Sequence, residues 1–124
     1  MTMLEGYLEA VSNRKDLSMG AKAMLFDLIM IWNCYRNEWG KGKDWDGWFH
    51  ATDHGDNRYV IGENISNKTY TRYRKELIEK GCIAYERGFH LADGKGIASR
   101  YKLLIEPVLE GKEDEDSIDI FDFI

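Results

Sequence analysis

The chain has 124 residues, of which 44% are hydrophobic and 13% aromatic, and its formal net charge is −5. This length and composition suit one domain with a buried core. They exclude collagen-like and disulfide-stapled classes, since the only cysteines are Cys34 and Cys82. No apolar run is long enough to span a membrane and no signal peptide pattern is present, so we expect a cytoplasmic protein without a membrane partner.

The acidic residues are concentrated at the C-terminal end. Residues 106–124 hold eight of the 22 acids and one of the 17 bases, which leaves 14 acids and 16 bases in residues 1–105. The two parts therefore carry about +2 and −7 charges at neutral pH. We divide the chain into an N-terminal extension (1–16), a domain (17–105) and an acidic tail (106–124).

The first half of the chain contains two predicted helices and one strand. Residues 1–16 predict a short, weak helix, and Ser18 is a favourable N-cap for the clearest helix of the chain. Residues 37–47, rich in glycine and asparagine, predict a loop, and residues 48–51 a short strand. The apolar stripe of the clear helix comprises Ala21, Met24, Leu25, Leu28, Trp32 and Tyr35, widened by Ile29 and Ile31.

The second half predicts two further helices and a hairpin. Thr52 is a possible cap for a helix over 53–61, followed by a turn at 62–64 and by a helix that begins after Ser66 and ends near Lys80. Gly81 is a natural helix terminator. Residues 82–85 and 99–105 predict two strands joined by a flexible tip over 88–96. The expected inward residues of the last helix are Tyr70, Tyr73, Leu77 and Ile78.

This order of elements predicts an α+β fold, a winged helix-turn-helix. It has a three-helix core, a short first strand and a C-terminal β-hairpin wing. The outward face of the last helix is polar and basic, as expected of a helix that reads base edges in the major groove. The alternative is an ordinary solvated helix face. The candidate DNA-binding residues are Asn67, Lys68, Thr71, Arg72 and Lys75 on the helix, and Arg87, Lys95 and Arg100 on the hairpin.

Several short runs carry a resemblance to a known family. They are residues 17–22 (LSMGAK), 48–49 (WF), 66–70 (SNKTY), 74–81 (RKELIEKG), 85–88 (YERG) and 99–103 (SRYKL). Together they make residues 17–105 resemble the winged-helix domain of replication initiators of phages and mobile elements, the replisome-organiser and DnaD-like proteins. The resemblance implies binding to duplex or single-stranded DNA, self-association as a homodimer and recruitment of a helicase or its loader. No second helical domain follows the hairpin, so helicase loading is not expected.

The acidic tail supports two interpretations. A segment in which acids alternate with Ile and Phe is typical of a solvated chain end. It is also suited to dock into a basic-rimmed apolar groove of a replication protein, to fold back on the basic helix of its own chain, or to add a strand to a sheet edge. The residues concerned are 113–124.

Other chemistries are less well supported by the sequence. His50 and His54 are four residues apart but lack a third sure metal ligand, and the two cysteines are expected to be buried small hydrophobes. No nucleophile, base and orienting acid are placed together, so we expect neither enzymatic activity nor a cofactor. Three functions stay open: a replication initiator, a winged-helix transcriptional regulator, and a protein-interaction module that uses the tail.

Overall fold

Three α-helices and short antiparallel strands form a mixed α+β fold in the computed structural model, which describes residues 2–40, 44–51, 65–90, 94 and 96–109. The helices are α1 (Met3–Ser12), α2 (Met19–Tyr35) and α3 (Asn67–Glu79), and a π-helical turn over Arg36–Gly40 extends α2. The strands are β1 (Phe49–His50), β2 (Ile83–Glu86), β3 (Phe89–His90), β4 (Gly96–Ile97) and β5 (Arg100–Leu103).

Side-chain caps explain where the three helices begin. Thr2 and Glu5 form a reciprocal capping box at α1, in which the Thr2 hydroxyl accepts from the Glu5 amide at 3.1 Å. Ser18 and Ser66 cap α2 and α3 by accepting from the amides of Ala21 and Thr69. The predicted helices at these three places are confirmed, including the short N-terminal one.

The core lies between α1, α2, α3 and the inner face of the sheet. Helix α2 is covered on more than one side, as predicted, because Ile29 and Ile31 are buried together with its apolar stripe. Tyr7 of α1 packs edge-to-face on Trp32 with ring centroids 4.8 Å apart. The buried hydrophobic residues include Val11, Ala21, Met24, Leu25, Leu28, Phe49, Tyr70, Leu77, Cys82, Ile83 and Tyr101.

The three-stranded sheet has the order β1-β5-β2, with both neighbours antiparallel to β5. Strand β5 alternates strictly, because Tyr101 and Leu103 are buried while Arg100 and Lys102 face outward. The two strands β2 and β5 form the predicted hairpin, with bounds shifted by one or two residues. The described part of the chain contains no helix that is long and apolar enough to cross a membrane.

Four sequence predictions differ from the structure. The loop expected from Asn37 begins later, because the chain continues as a π-helical turn to Gly40. The expected flexible tip contains paired strands, since β3 pairs with β4. Ile78 was expected to face inward but is 42% exposed, and Cys34 is exposed instead of buried. The predicted helix 53–61 and turn 62–64 lie outside the described residues.

A glycine sets the distance between α2 and α3. A Cβ atom added at Gly20 would lie 1.9 Å from Cζ of the Tyr73 ring, so only glycine allows this ring to lie against the start of α2. On the same flank, the Glu76 carboxylate accepts from the Ser18 amide at 2.7 Å and from its hydroxyl at 2.8 Å. Thus α3 holds the capping residue of α2, and the two helices are fixed at two adjacent points.

We predict that the effect of Gly20→Ala on stability reverses with the residue at position 73. With Tyr73 present, the substitution is expected to destabilise the fold by about 1–2 kcal/mol, because the ring must leave its place. In a Tyr73→Ala background it is expected to be neutral or to stabilise by up to about 1 kcal/mol, since alanine favours helix. Urea unfolding of the four variants of the cycle measures this coupling.

Met19→Ala is the matched control, since Met19 lies in the same turn and is 89% exposed. Its effect should stay within about 0.5 kcal/mol in both backgrounds. An equal effect of Gly20→Ala with and without Tyr73 would contradict the packing described for this contact.

Candidate nucleic-acid interface

Helix α3 turns one face to the core and the opposite face to solvent. Tyr70, Arg74 and Leu77 are buried and follow each other at spacings of four and three residues. Tyr73 and Glu76 flank this face and are partly buried. The five candidate residues of the helix, here called the α3 stripe, are all exposed: Asn67, Lys68, Thr71, Arg72 and Lys75.

The charge on the first part of α3 has one sign. Residues 67–75 include four bases and no acid, and three of those bases, Lys68, Arg72 and Lys75, belong to the stripe. The guanidinium of Arg72 lies 5.5 Å from the centre of the Tyr73 ring, which orients it along the helix surface. The first backbone amides of a helix have no carbonyl partner within the helix, and their N–H groups point out of its N-terminal end, where the helix dipole is positive. This end of α3 therefore suits a phosphate.

Arg74 joins α3 to the sheet, and the sequence analysis did not assign it a role. It is 8% exposed, and its Nη1 donates to the Tyr101 hydroxyl at 3.0 Å. The guanidinium also lies 4.4 Å from the centre of the Tyr85 ring, and its Nη2 donates to the Thr71 hydroxyl at 3.4 Å. Thr71 of the stripe is thus held by the same side chain that anchors the helix.

The hairpin candidates are placed differently from the stripe. Arg87 is exposed directly after β2, and Lys95 lies outside the described residues. Arg100 lies on the outer face of the sheet, because its neighbour Tyr101 faces inward toward Arg74. The structure therefore gathers the five helix candidates on one surface and places Arg100 on another.

Arg100 is engaged by side chains of its own surface. Its Nε donates to the Glu86 carboxylate at 2.6 Å, across the β2–β5 pair, and its guanidinium lies 4.5 Å from the centre of the Trp48 ring. The guanidinium holds the pKa of the Glu86 carboxyl below its ordinary value by this hydrogen bond. These contacts support a role for Arg100 in bracing the hairpin against the residues before β1.

A groove adjoins the stripe where α2 meets α3. It has a volume of about 580 Å³, and Gly20 and the Tyr73 ring lie in its wall. Two bases, Arg72 and Lys75, and two acids, Glu76 and Glu79, are among its lining residues. The exposed Met19 is next to Gly20 in the chain. The groove thus combines an aromatic ring with two of the three bases of the stripe, a feature that the sequence pattern did not reveal.

The remaining candidate chemistries find little support in the geometry. His50 Nδ1 is within 3.0 Å of the Ala98 carbonyl oxygen, while His54 lies outside the described residues. Among the described residues, no group of three or more His, Cys, Asp or Glu side chains is arranged to hold a metal ion. Burial raises the pKa of the Cys82 thiol, which makes it a poor nucleophile near neutral pH.

Comparisons with protein-family models, with curated proteins and with solved structures find no match for this chain.

We predict that Arg74→Lys destabilises the fold by about 1–3 kcal/mol, because an ammonium group cannot stack on Tyr85 while donating to both Tyr101 and Thr71. Arg72→Lys is the matched control on the exposed side of the same helix, and its effect should stay within about 0.5 kcal/mol. Thermal and urea unfolding measure both. Similar losses for the two variants would show that Arg74 does not anchor α3.

Proposed function

We propose that this protein binds DNA through the α3 stripe and that its fold is a winged helix-turn-helix. The observation that carries the proposal is the exposure of Asn67, Lys68, Thr71, Arg72 and Lys75 on one face of α3, opposite the buried Tyr70, Arg74 and Leu77. Helix α3 inserts into the major groove, where amide and guanidinium groups contact base edges and lysines contact phosphates. Helix α2 packs against its back, and the predicted helix 53–61, which lies outside the described residues, is the first helix of the motif.

The β2–β5 hairpin serves as the wing in this proposal. It follows α3 directly through Gly81, whose φ of +74° allows the chain to turn back after the helix. Arg87, exposed at the end of β2, and Lys95 contact the sugar-phosphate backbone beside the groove. Arg100 contributes indirectly, since its pairing with Glu86 and Trp48 stiffens the hairpin on which Arg87 is carried.

We assign the protein to initiation of DNA replication in a phage or mobile element, on the resemblance of residues 17–105 to the domain of such initiators. The protein would recognise origin DNA as a homodimer and pass it to a replication partner, without catalysis of its own and without a cofactor. A transcriptional regulator with the same fold is the alternative use of this surface.

The first experiment tests the stripe by its electrostatics. Arg72→Ala combined with Lys75→Ala should weaken binding to a duplex oligonucleotide several-fold at low salt. The slope of log affinity against log salt should become shallower by about 2, since each phosphate contact contributes about 0.9. Fluorescence anisotropy at several salt concentrations, with duplex and single-stranded probes, measures both quantities.

Lys15→Ala combined with Lys80→Ala is the charge-matched control. Both lysines are exposed and lie outside the stripe, and Lys80 contacts the end of α3 through its backbone amide. The control should bind like the unmodified chain. Unchanged binding by the Arg72/Lys75 variant would show that α3 is not the DNA-binding surface. If neither the unmodified chain nor any variant binds either probe at low salt, the result would favour the protein-interaction module.

Footprinting distinguishes the two processes. Protection of clustered repeats at a replication origin would support an initiator, while protection of a site overlapping a promoter would support a regulator.

A further inference from the structure

The surface with which α3 is proposed to bind DNA also has the properties of a receptor for the chain's own acidic tail. Residues 110–124 contain seven acids and one base, whereas the exposed bases Lys68, Arg72 and Lys75 lie together on α3 without an acid among residues 67–75. The groove beside the stripe is lined by Arg72, Lys75 and the half-buried Tyr73, and also by Glu76 and Glu79. The α3 surface thus combines basic groups with an aromatic ring, and the tail combines acidic groups with apolar side chains, so the two are complementary in charge.

The first residues of the acidic tail are held on the domain. The amide of Val108 donates to the Gly6 carbonyl at 3.0 Å, and a Cβ atom at Gly6 would lie 2.4 Å from the Val108 carbonyl oxygen. Residues 107 and 108 are therefore held against α1, which packs on α2, which in turn packs on α3. The tail begins on the same body as the stripe, with one helix between them.

The tail is long enough to reach the stripe. Fifteen residues extend to at most about 50 Å, whereas a domain of this size has a radius of gyration of about 13 Å and is therefore roughly 35 Å across. A tether of this length gives an effective concentration on the order of 1 mM. Even a weak contact would then be populated without any partner, and the attraction between opposite charges adds to it at low ionic strength.

We propose that residues 113–124 dock on the α3 stripe and the adjoining groove of the same chain, and thereby compete with DNA for this surface. Asp116, Asp119 and Asp122 occupy the positions of phosphates beside Arg72 and Lys75. Phe121 and Phe123 contact the Tyr73 side of the groove. DNA must displace the tail before it binds, so a replication partner that captures the tail would release the stripe. This inference rests on the proposed function for its DNA readout, but the docking itself is measured without DNA.

The charge test uses the full chain with Asp116→Asn, Asp119→Asn and Asp122→Asn combined. This variant should bind the duplex about five- to tenfold more tightly at low salt. The weakened tail no longer competes with DNA, so it no longer lowers the apparent affinity for the duplex. Its matched control neutralises three exposed acids outside the tail segment and changes the net charge equally. The control substitutions are Glu38→Gln, Asp44→Asn and Asp46→Asn.

A second variant keeps the charge and removes the aromatic contacts. Phe121→Ala combined with Phe123→Ala should also tighten DNA binding, by about twofold or more, because the tail loses its hold on the groove. General repulsion between the acidic tail and DNA would leave this variant at the affinity of the unmodified chain.

The docking is measured directly by the backbone amide NMR shifts of residues 68–75 without DNA. We expect these shifts to move in both tail variants and to stay fixed in the control. Tighter DNA binding without a change in the α3 shifts would overturn docking in favour of simple charge repulsion. Shifts that depend on protein concentration would overturn it in favour of a second copy of the chain as the occupant.

The two proposals fail in different ways. If α3 shifts move in the tail variants but no variant binds DNA, the DNA-binding function is wrong and the docking stands. If the two tail variants and their control bind DNA as well as the unmodified chain and the α3 shifts do not move, the DNA-binding function stands and the docking is wrong.

Discussion

The rotation of α3 about its own axis is the constraint on which the proposed interface depends. It is fixed by the burial of Tyr70, Arg74 and Leu77, of which Arg74 is the most demanding. The guanidinium of a residue that is 8% exposed must find partners, because an unpaired buried charge costs several kcal/mol. The Tyr101 hydroxyl and the Tyr85 ring supply them from the inner face of the sheet. Once Arg74 is placed there, Lys68, Arg72 and Lys75 lie on the opposite, exposed face of the helix.

The contacts between α2 and α3 engage the acid that lies nearest to the stripe. Glu76 follows the basic stretch directly, and its carboxylate is taken up by the amide and hydroxyl of Ser18. The capping residue of one helix thus holds the side chain of an acid of the next, and the acids Glu76 and Glu79 follow the basic stretch of residues 67–75 instead of interrupting it. Gly20 permits this arrangement, since a side chain there would overlap the Tyr73 ring and move the two helices apart.

The sequence was sufficient to predict the three described α-helices because their signals are local. Ser18 and Ser66 mark two starts, Gly81 marks an end, and the three-and-four spacing marks the buried faces. The prediction of buried and exposed residues failed where the type of a residue and its position on the helix indicate different environments. Arg74 lies four residues after Tyr70 and three before Leu77, so spacing alone places it inside, while its charge argues for solvent. Ile78 presents the opposite case, because it lies three residues after the exposed Lys75 and shares its face.

The interface itself was only partly predictable. The five stripe residues follow from helical periodicity, and the structure gathers them as expected. The outward position of Arg100 follows from strand alternation, but its capture by Glu86 and Trp48 depends on strand register and on a loop contact, which no local pattern encodes. The groove at Gly20 depends on the distance between two helices that are separated by more than thirty residues of chain.

The charge distribution also explains how an acidic chain can hold a basic interface. At physiological ionic strength charges more than about 8 Å apart are largely screened. The potential at α3 is therefore set by nearby groups, which are the bases Lys68, Arg72 and Lys75 and the acids Glu76 and Glu79 of the adjoining groove. The net charge of −5 has little influence. In the proposed docked state, salt weakens the tail contact and the proposed phosphate contacts together. DNA binding by the intact chain should consequently depend less steeply on salt than the number of its phosphate contacts implies.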